Sequence, residues 1–190
     1  MCYFWSMITI TTVSNEADLI GILDLQSRNL KKNITIEEAQ SQGFLIAAFS
    51  MDYLKKMNDA HPSVIAKMDD RVVGYALIAT QAARIGHPLT EDLFNQIDSL
   101  SFDGIPLHQA KYAVIGQLCV DKSVRGMGLV QQLYGRFRAE LEDEYDFGIT
   151  DVARANSRSL KAHIKTGFQV IHSIGYGGLE WDVVLWDWRK

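Results

Sequence analysis

A chain of 190 residues, 47% hydrophobic and 22% charged, is long enough to bury a real core and too mixed in composition for a fibrous or disordered polymer. Its formal charge of −4, with no dense Lys/Arg block beyond Lys31-Lys32 and Lys55-Lys56, argues against a nucleic-acid-binding face and suits an enzyme acting on a small, cationic molecule. Cys2 and Cys119, the 2 cysteines of the chain, cannot build a disulfide framework, and no run approaches the ~20 apolar residues of a membrane helix, so the expectation is one cytoplasmic domain over 1–190.

The opening MCYFWS is apolar but lacks a basic region and a cleavage site. It reads as an extension ahead of Met7. Residues 7–13, MITITTV, alternate β-branched and polar positions and predict a strand. Ser14 then offers an N-cap for an amphipathic helix reaching about Arg28. Thr35 and Ser50 offer caps for two shorter helices, the first ended by Gly43 and the second by His61-Pro62.

SVIAKMDDRVVGYALIAT, 63–80, predicts a hairpin turning at Asp69-Asp70. Segment 81–111 is less regular: a helix in TEDLFNQIDSL, a loop in FDGIPLHQA. YAVIGQLCV, 112–120, reads as a buried strand, and GLVQQLYGRFRAELEDE has the strongest helical periodicity in the chain. FGITDVA, 147–153, predicts a strand and NSRSLKAHIKTG, 156–167, a helix between an asparagine cap and a closing glycine. A last hairpin bends at Tyr176-Gly177-Gly178. The order implies a mixed α/β sheet.

Between strand 112–120 and its helix lies VRGMG. Each glycine costs roughly 1 kcal/mol relative to alanine inside a helix, so bare backbone is wanted there. Strand, glycine turn and helix together present unsatisfied amides and the positive end of a helix dipole, a natural phosphate site, to which Lys122 and Arg125 can add charge. The Gly-Lys-Ser/Thr of a Walker loop is missing, and a dinucleotide fingerprint would need glycine where Gln131 stands. A tight turn without ligand remains an equal reading of the loop alone.

QLCVDKSVRGMGLVQQL resembles the acetyl-CoA signature of the GCN5-related N-acetyltransferase (GNAT) superfamily, with Leu118, Val120, Arg125, Gly126 and Gly128 in register and Ser123 where the family usually has glutamine or arginine. ANSRSLKAHIKTGFQV resembles the family's later helix through Asn156, Ser159, Gly167 and Phe168. The resemblance covers at least 63–188, with 81–111 as an atypical insertion. It implies the GNAT fold: a mixed central β-sheet flanked by helices, with strands 112–120 and 147–153 splayed. It also implies an acetyl-CoA-dependent N-acetyltransferase that moves an acetyl group to a primary amine of a small molecule or peptide by direct attack.

By the same resemblance, backbone at Leu118, Cys119 and Val120 lies along the pantetheine, with the Val120 amide facing the oxyanion. Amides of Arg125, Gly126, Met127, Gly128, Leu129 and Val130 hold the pyrophosphate. Asn156 and Ser159 contact the cofactor arm, and Lys161 or Lys165 reaches its phosphates. His163, seven residues after Asn156, stands where many members have a tyrosine acid and becomes the candidate general acid. No base stands out: Gln117 occupies a common carboxylate position, leaving Asp121, His108, Asp103 or ordered water.

Plainer roles compete with these. Cys119 suits strand packing. His61, His87, His108 and His172 are too scattered to argue a metal. Trp181, Trp186 and Trp188 suit a core or a homodimer face. A lapsed CoA-binding module, or a protein-interaction domain on the same fold, is the alternative to an enzyme.

Overall fold

The computed structural model describes residues 7–176 and 178–189. The extension 1–6 and Gly177 of the last bend lie outside the described residues. Seven strands form one sheet in the order β1-β2-β3-β6-β7-β9-β8: β1 (Ile8–Thr12), β2 (Val64–Met68), β3 (Arg71–Ala79), β6 (Tyr112–Val120), β7 (Phe147–Ala153), β8 (Gln169–Tyr176) and β9 (Leu179–Asp187). A short hairpin, β4 (Ser101–Phe102) and β5 (Ile105–Pro106), stands apart; the loop expected there is thus partly paired. The helices are α1 (Glu16–Asn29), α2 (Ile36–Gln42), α3 (Met51–Ala60), α4 (Pro88–Asp98), α5 (Leu129–Leu141) and α6 (Ser157–Thr166).

Local chemistry sets most boundaries. Thr35, Ser50 and Asn156 each accept a first-turn amide, capping α2, α3 and α6. At α1 the cap is Asn15 rather than Ser14. Ser14 instead donates its amide and hydroxyl to Asp18, at 3.0 and 3.1 Å, while Lys67 on β2 holds the other carboxylate oxygen at 2.9 Å. That half-buried ion pair ties α1 to β2 near the sheet edge.

Two apolar layers cover the sheet. On one face α1, α3 and α4 pack against Tyr75, Leu77, Val114, Ile149 and Val183; on the other, α5 packs with Phe168, Trp186 and Trp188 on Ala76, Ile115 and Val184. Trp186 and Trp188 therefore belong to the core side, stacked near Tyr134, Phe137 and Phe168. Trp181, five residues before Trp186, faces the opposite side because side chains alternate along a strand.

The middle of the sheet is where regular pairing fails. β6 and β7 run parallel but pair only over Tyr112–Val114 and Phe147–Ile149. Beyond that point they diverge. A bulge at Gly116 interrupts the register of β6 with β3, where Leu77 faces Gln117 but Ile78 faces Ile115. A Cβ at 116 would come within 2.8 Å of the Met57 methyl, so α3 packs closely over the bulge.

Candidate active site

The gap between the diverging strands opens into a cavity of about 510 Å³. Its walls come from β6 and β7, the glycine turn, one side of α6, the segment 42–49 and α4. Nothing contiguous in the sequence announces that last pair. Segment 42–49 is pinned across the opening by backbone bonds of Leu45 with Asn29 and Lys31, by Gln26 on both the amide and the carbonyl of Phe49, by Gln117 Nε2 on Ala47 O (2.9 Å) and by Asn156 Nδ2 on Phe44 O (3.2 Å).

At one end stands the glycine turn. Gly126 and Gly128 have φ of 85° and 74°, the left-handed region that glycine enters without strain. No neighbour lies within 4 Å of a Cβ built at either position, so backbone conformation alone demands glycine. Gly128 caps α5 without any side-chain bond, which leaves first-turn amides at the cavity unanswered. Leu129 and Val130 line it, while Met127 does not and is exposed.

Arg125 lines the same end, but its guanidinium is largely committed to protein. Nη2 bonds Asn29 Oδ1 at 2.8 Å, Nε bonds the Val120 carbonyl at 3.2 Å, and Nη1 is buried 3.8 Å from Glu38. It knits the turn to α1 and α2. Lys122 lies outside the cavity lining, whereas Arg158, Lys161, Ser159 and Lys165 of α6 belong to it.

Backbone along β6 divides by parity. The Asp121 amide donates to Val73 O at 2.8 Å, and antiparallel pairing alternates, so Cys119 shares its peptide bonds with Tyr75 on β3 while Leu118 and Val120 point theirs into the gap. Cys119 thus has no backbone group left for a cofactor. Its thiol is buried, and burial pushes it up to about 12, which makes it an inert packing group.

Asp121 is no base either. Burial opposes its charge, but the Ser123 hydroxyl (2.6 Å) and amide (2.9 Å) and Arg28 (2.6 Å) outweigh that and hold its carboxyl down to about 2. This also explains Ser123: the serine locks the turn through Asp121. Asp103 pairs with Arg189 at 3.2 Å and His108 is exposed beside Gln109; neither lines the cavity. Gln117 spends its oxygen on Tyr75 OH at 2.6 Å.

His163 departs furthest from expectation. It is 3% exposed, with Nδ1 2.8 Å from the Ser159 carbonyl and Nε2 2.6 Å from Tyr134 OH. A carbonyl only accepts, so the ring's proton sits on Nδ1 and Nε2 receives the phenol proton. Burial pulls the imidazole down to about 4, against a smaller pull upward from Ser159. The expected acid is a neutral ring with its proton already donated, clasping α6 to α5. Tyr134, invisible as anything but helix core in the sequence, is the other half of that clasp.

At the far end the carboxylates that line the cavity are Asp92 on α4 and Asp151 on β7. Asp151 follows Ile149 and precedes Ala153 on the face covered by α4, with Trp181 and Ile174 alongside on β9 and β8. Burial pushes Asp151 up to about 6, helped by the charge of Asp92 and opposed by its own backbone amide. The sequence reading passed over Asp151 because a lone Asp inside FGITDVA looks like strand polarity. α4 is steadied there by Arg84–Asp98 at 2.7 Å and by His87, whose ring lies 4.7 Å from Phe49 and 5.6 Å from Tyr53. Among the described residues no group of three His, Cys, Asp or Glu is arranged to hold a metal ion.

A family model described as "Acetyltransferase (GNAT) family" matches residues 32–168, most of the chain. The chain belongs to the GNAT acetyltransferase family. Solved structures with the same fold include a putative acetyltransferase from Salmonella typhimurium with its cofactor acetyl-CoA, at 18% identity over 97% of this chain and 96% of the other, TM-score 0.63. An N-acetyltransferase from Staphylococcus aureus matches at 18% identity over 97% and 100%, TM-score 0.61. A ribosomal-protein-alanine N-acetyltransferase from Brucella melitensis matches at 18% identity over 94% and 99%, TM-score 0.59. No curated protein sequence matches the chain. GNAT membership agrees with the splayed strands, the glycine turn and the α6 cap, and no described helix is long and apolar enough to cross a membrane.

Proposed function

We propose that this GNAT chain transfers an acetyl group from acetyl-CoA to a primary amine through direct attack. One observation carries the reading: a single cavity joins unanswered amides at a glycine-initiated helix to a carboxyl raised toward neutrality, Asp151. The phosphate chemistry and the proton chemistry of the reaction are thereby held at opposite ends of one cleft.

In this reading the first-turn amides of α5 hold the CoA pyrophosphate. Pantetheine lies along Leu118 and Val120, replacing the strand partner that β7 withdraws. Arg158, Lys161 and Lys165 face the remaining phosphate. The amine nitrogen attacks the thioester carbon, and the Val120 amide stabilises the oxygen as it gains charge. Asp151 accepts the proton that the nitrogen sheds; pushed up from 3.8 to about 6, it is roughly a hundredfold stronger as a base. Collapse breaks the carbon–sulfur bond, and the CoA thiolate takes a proton from water rather than from His163.

The test joins binding to turnover. Acetyl-CoA at millimolar concentration should raise the melting temperature, because a ligand of the native state stabilises it, and thiol release should need an added amine. No thermal shift removes this reading. A shift without thiol release for any amine would favour the lapsed CoA-binding module.

A further inference from the structure

The acid end of the cavity sets two carboxylates against largely apolar walls. Several polar side chains of the lining are bonded to protein: Gln117 to Tyr75 and Ala47, Asn156 to Phe44 and Ser159, Thr150 to Ile115, His163 to Tyr134. Asp92 and Asp151 line the same space, and among the described residues no side-chain hydrogen bond or ion pair from another residue reaches either carboxylate. The two acids share one walled space with Leu89, Thr90, Leu93, Ile174 and the Trp181 indole. The cavity's basic residues all come from the glycine turn and α6, so none comes from the strand or helix that carries the acids.

A single ammonium needs only one of these carboxylates. Resting on the acetyltransferase reading above, we propose that Asp92 is a specificity-determining residue and that the acceptor is a small aliphatic amine bearing a second cationic nitrogen. One nitrogen reacts beside Asp151, the other pairs with Asp92, and a methylene stem crosses the Leu89, Leu93 and Ile174 surface. Trp181 adds an aromatic wall, on which a cation is favoured. A peptide amine fits less well. Its first amide and carbonyl would follow the nitrogen immediately, against the Leu89, Leu93 and Ile174 side chains, and burying polar groups against apolar ones is unfavourable.

The experiment compares 1,4-diaminobutane, butylamine and a tripeptide as acceptors, by thiol release under saturating acetyl-CoA, for the native chain and Asp92→Asn. The diamine should exceed butylamine in kcat/KM by tenfold or more, mainly through KM. Asp92→Asn should shrink that ratio toward unity, with circular dichroism and melting temperature verifying the fold. Calorimetric titration of the diamine into the CoA-saturated protein should show at least tenfold weaker binding in the variant. Equal use of diamine and monoamine, preference for the tripeptide, or a ratio untouched by Asp92→Asn overturns the inference while leaving the acetyltransferase reading in place. Absence of any acetyl-CoA thermal shift overturns both.

Discussion

The two ends of the cleft are built on opposite principles. At the glycine turn the backbone faces the cavity, and side chains are tied back: Ser123 to Asp121, Arg125 to Asn29 and Val120. At the acid end the Asp92 and Asp151 carboxylates, on a helix and on a strand past its last β6 pairing, face the space. The first arrangement suits a phosphate anchor, whose geometry is fixed. The second suits an acceptor site, whose identity is set by a few substitutable groups. Backbone sites leave a local signature in sequence because glycine is required; side-chain sites assembled from distant elements do not.

That contrast makes ordered predictions. The largest effect should come from Asp151→Asn: kcat/KM should fall by about two to four orders of magnitude, with acetyl-CoA affinity held. In the native chain kcat/KM should rise with pH through about 6, the value to which burial raises Asp151. A profile flat across that range would move the base elsewhere. The sign for stability is opposite. A raised carboxyl favours its protonated form in the fold, so its contribution is present in acid and is lost as pH rises through 6. Asp151→Asn should therefore gain melting temperature relative to the native chain at pH 8 and gain less at pH 4.

At the other end, Gly128→Ala should weaken acetyl-CoA binding by tenfold or more and destabilise the fold by about 1–2 kcal/mol, since alanine is strained at positive φ. Titration calorimetry and thermal melts check both. Loss of turnover without loss of cofactor affinity would contradict the assignment of this end to phosphate.

Between the two lies His163. His163→Ala should cost about 2–4 kcal/mol by emptying a packed site and orphaning the Tyr134 hydroxyl, measured by denaturant unfolding. Its depressed imidazole adds a pH signature: the unfolded chain takes up a proton that the folded one refuses, so stability should decline as pH drops from about 6.5 through 4. The smallest effect is the loss of the Asp121 anchor, whose lowered carboxyl stabilises above the ordinary range and should fail only as pH falls from about 4 to 2.

Most of the fold was legible, for a physical reason visible in particular elements. Val64–Met68 and Arg71–Ala79 are β-branched runs around a turn, and Leu129, Leu133, Phe137 and Leu141 repeat at helical spacing; both patterns report which face is buried. The shift of the α1 cap from Ser14 to Asn15 turned on Asp18, whose carboxylate, held through one oxygen by Lys67 on β2, takes the Ser14 amide and hydroxyl on the other. The small β4–β5 hairpin was missed because each strand has only two residues, too few to show alternation.

Taken by itself, the sequence determined the family, the strand-turn-helix that ends in Gly128, and the cap at Asn156, since each depends on contiguous residues with fixed backbone needs. Only the tertiary structure decided the surroundings of the titratable groups. It buried His163 against Tyr134, held Asp121 ionised against Arg28, and brought α4 over β7 so that Asp92 and Asp151 share one cavity. Charge, burial and partners are properties of neighbours in space, and those neighbours lie 29, 93 and 59 positions apart in the chain.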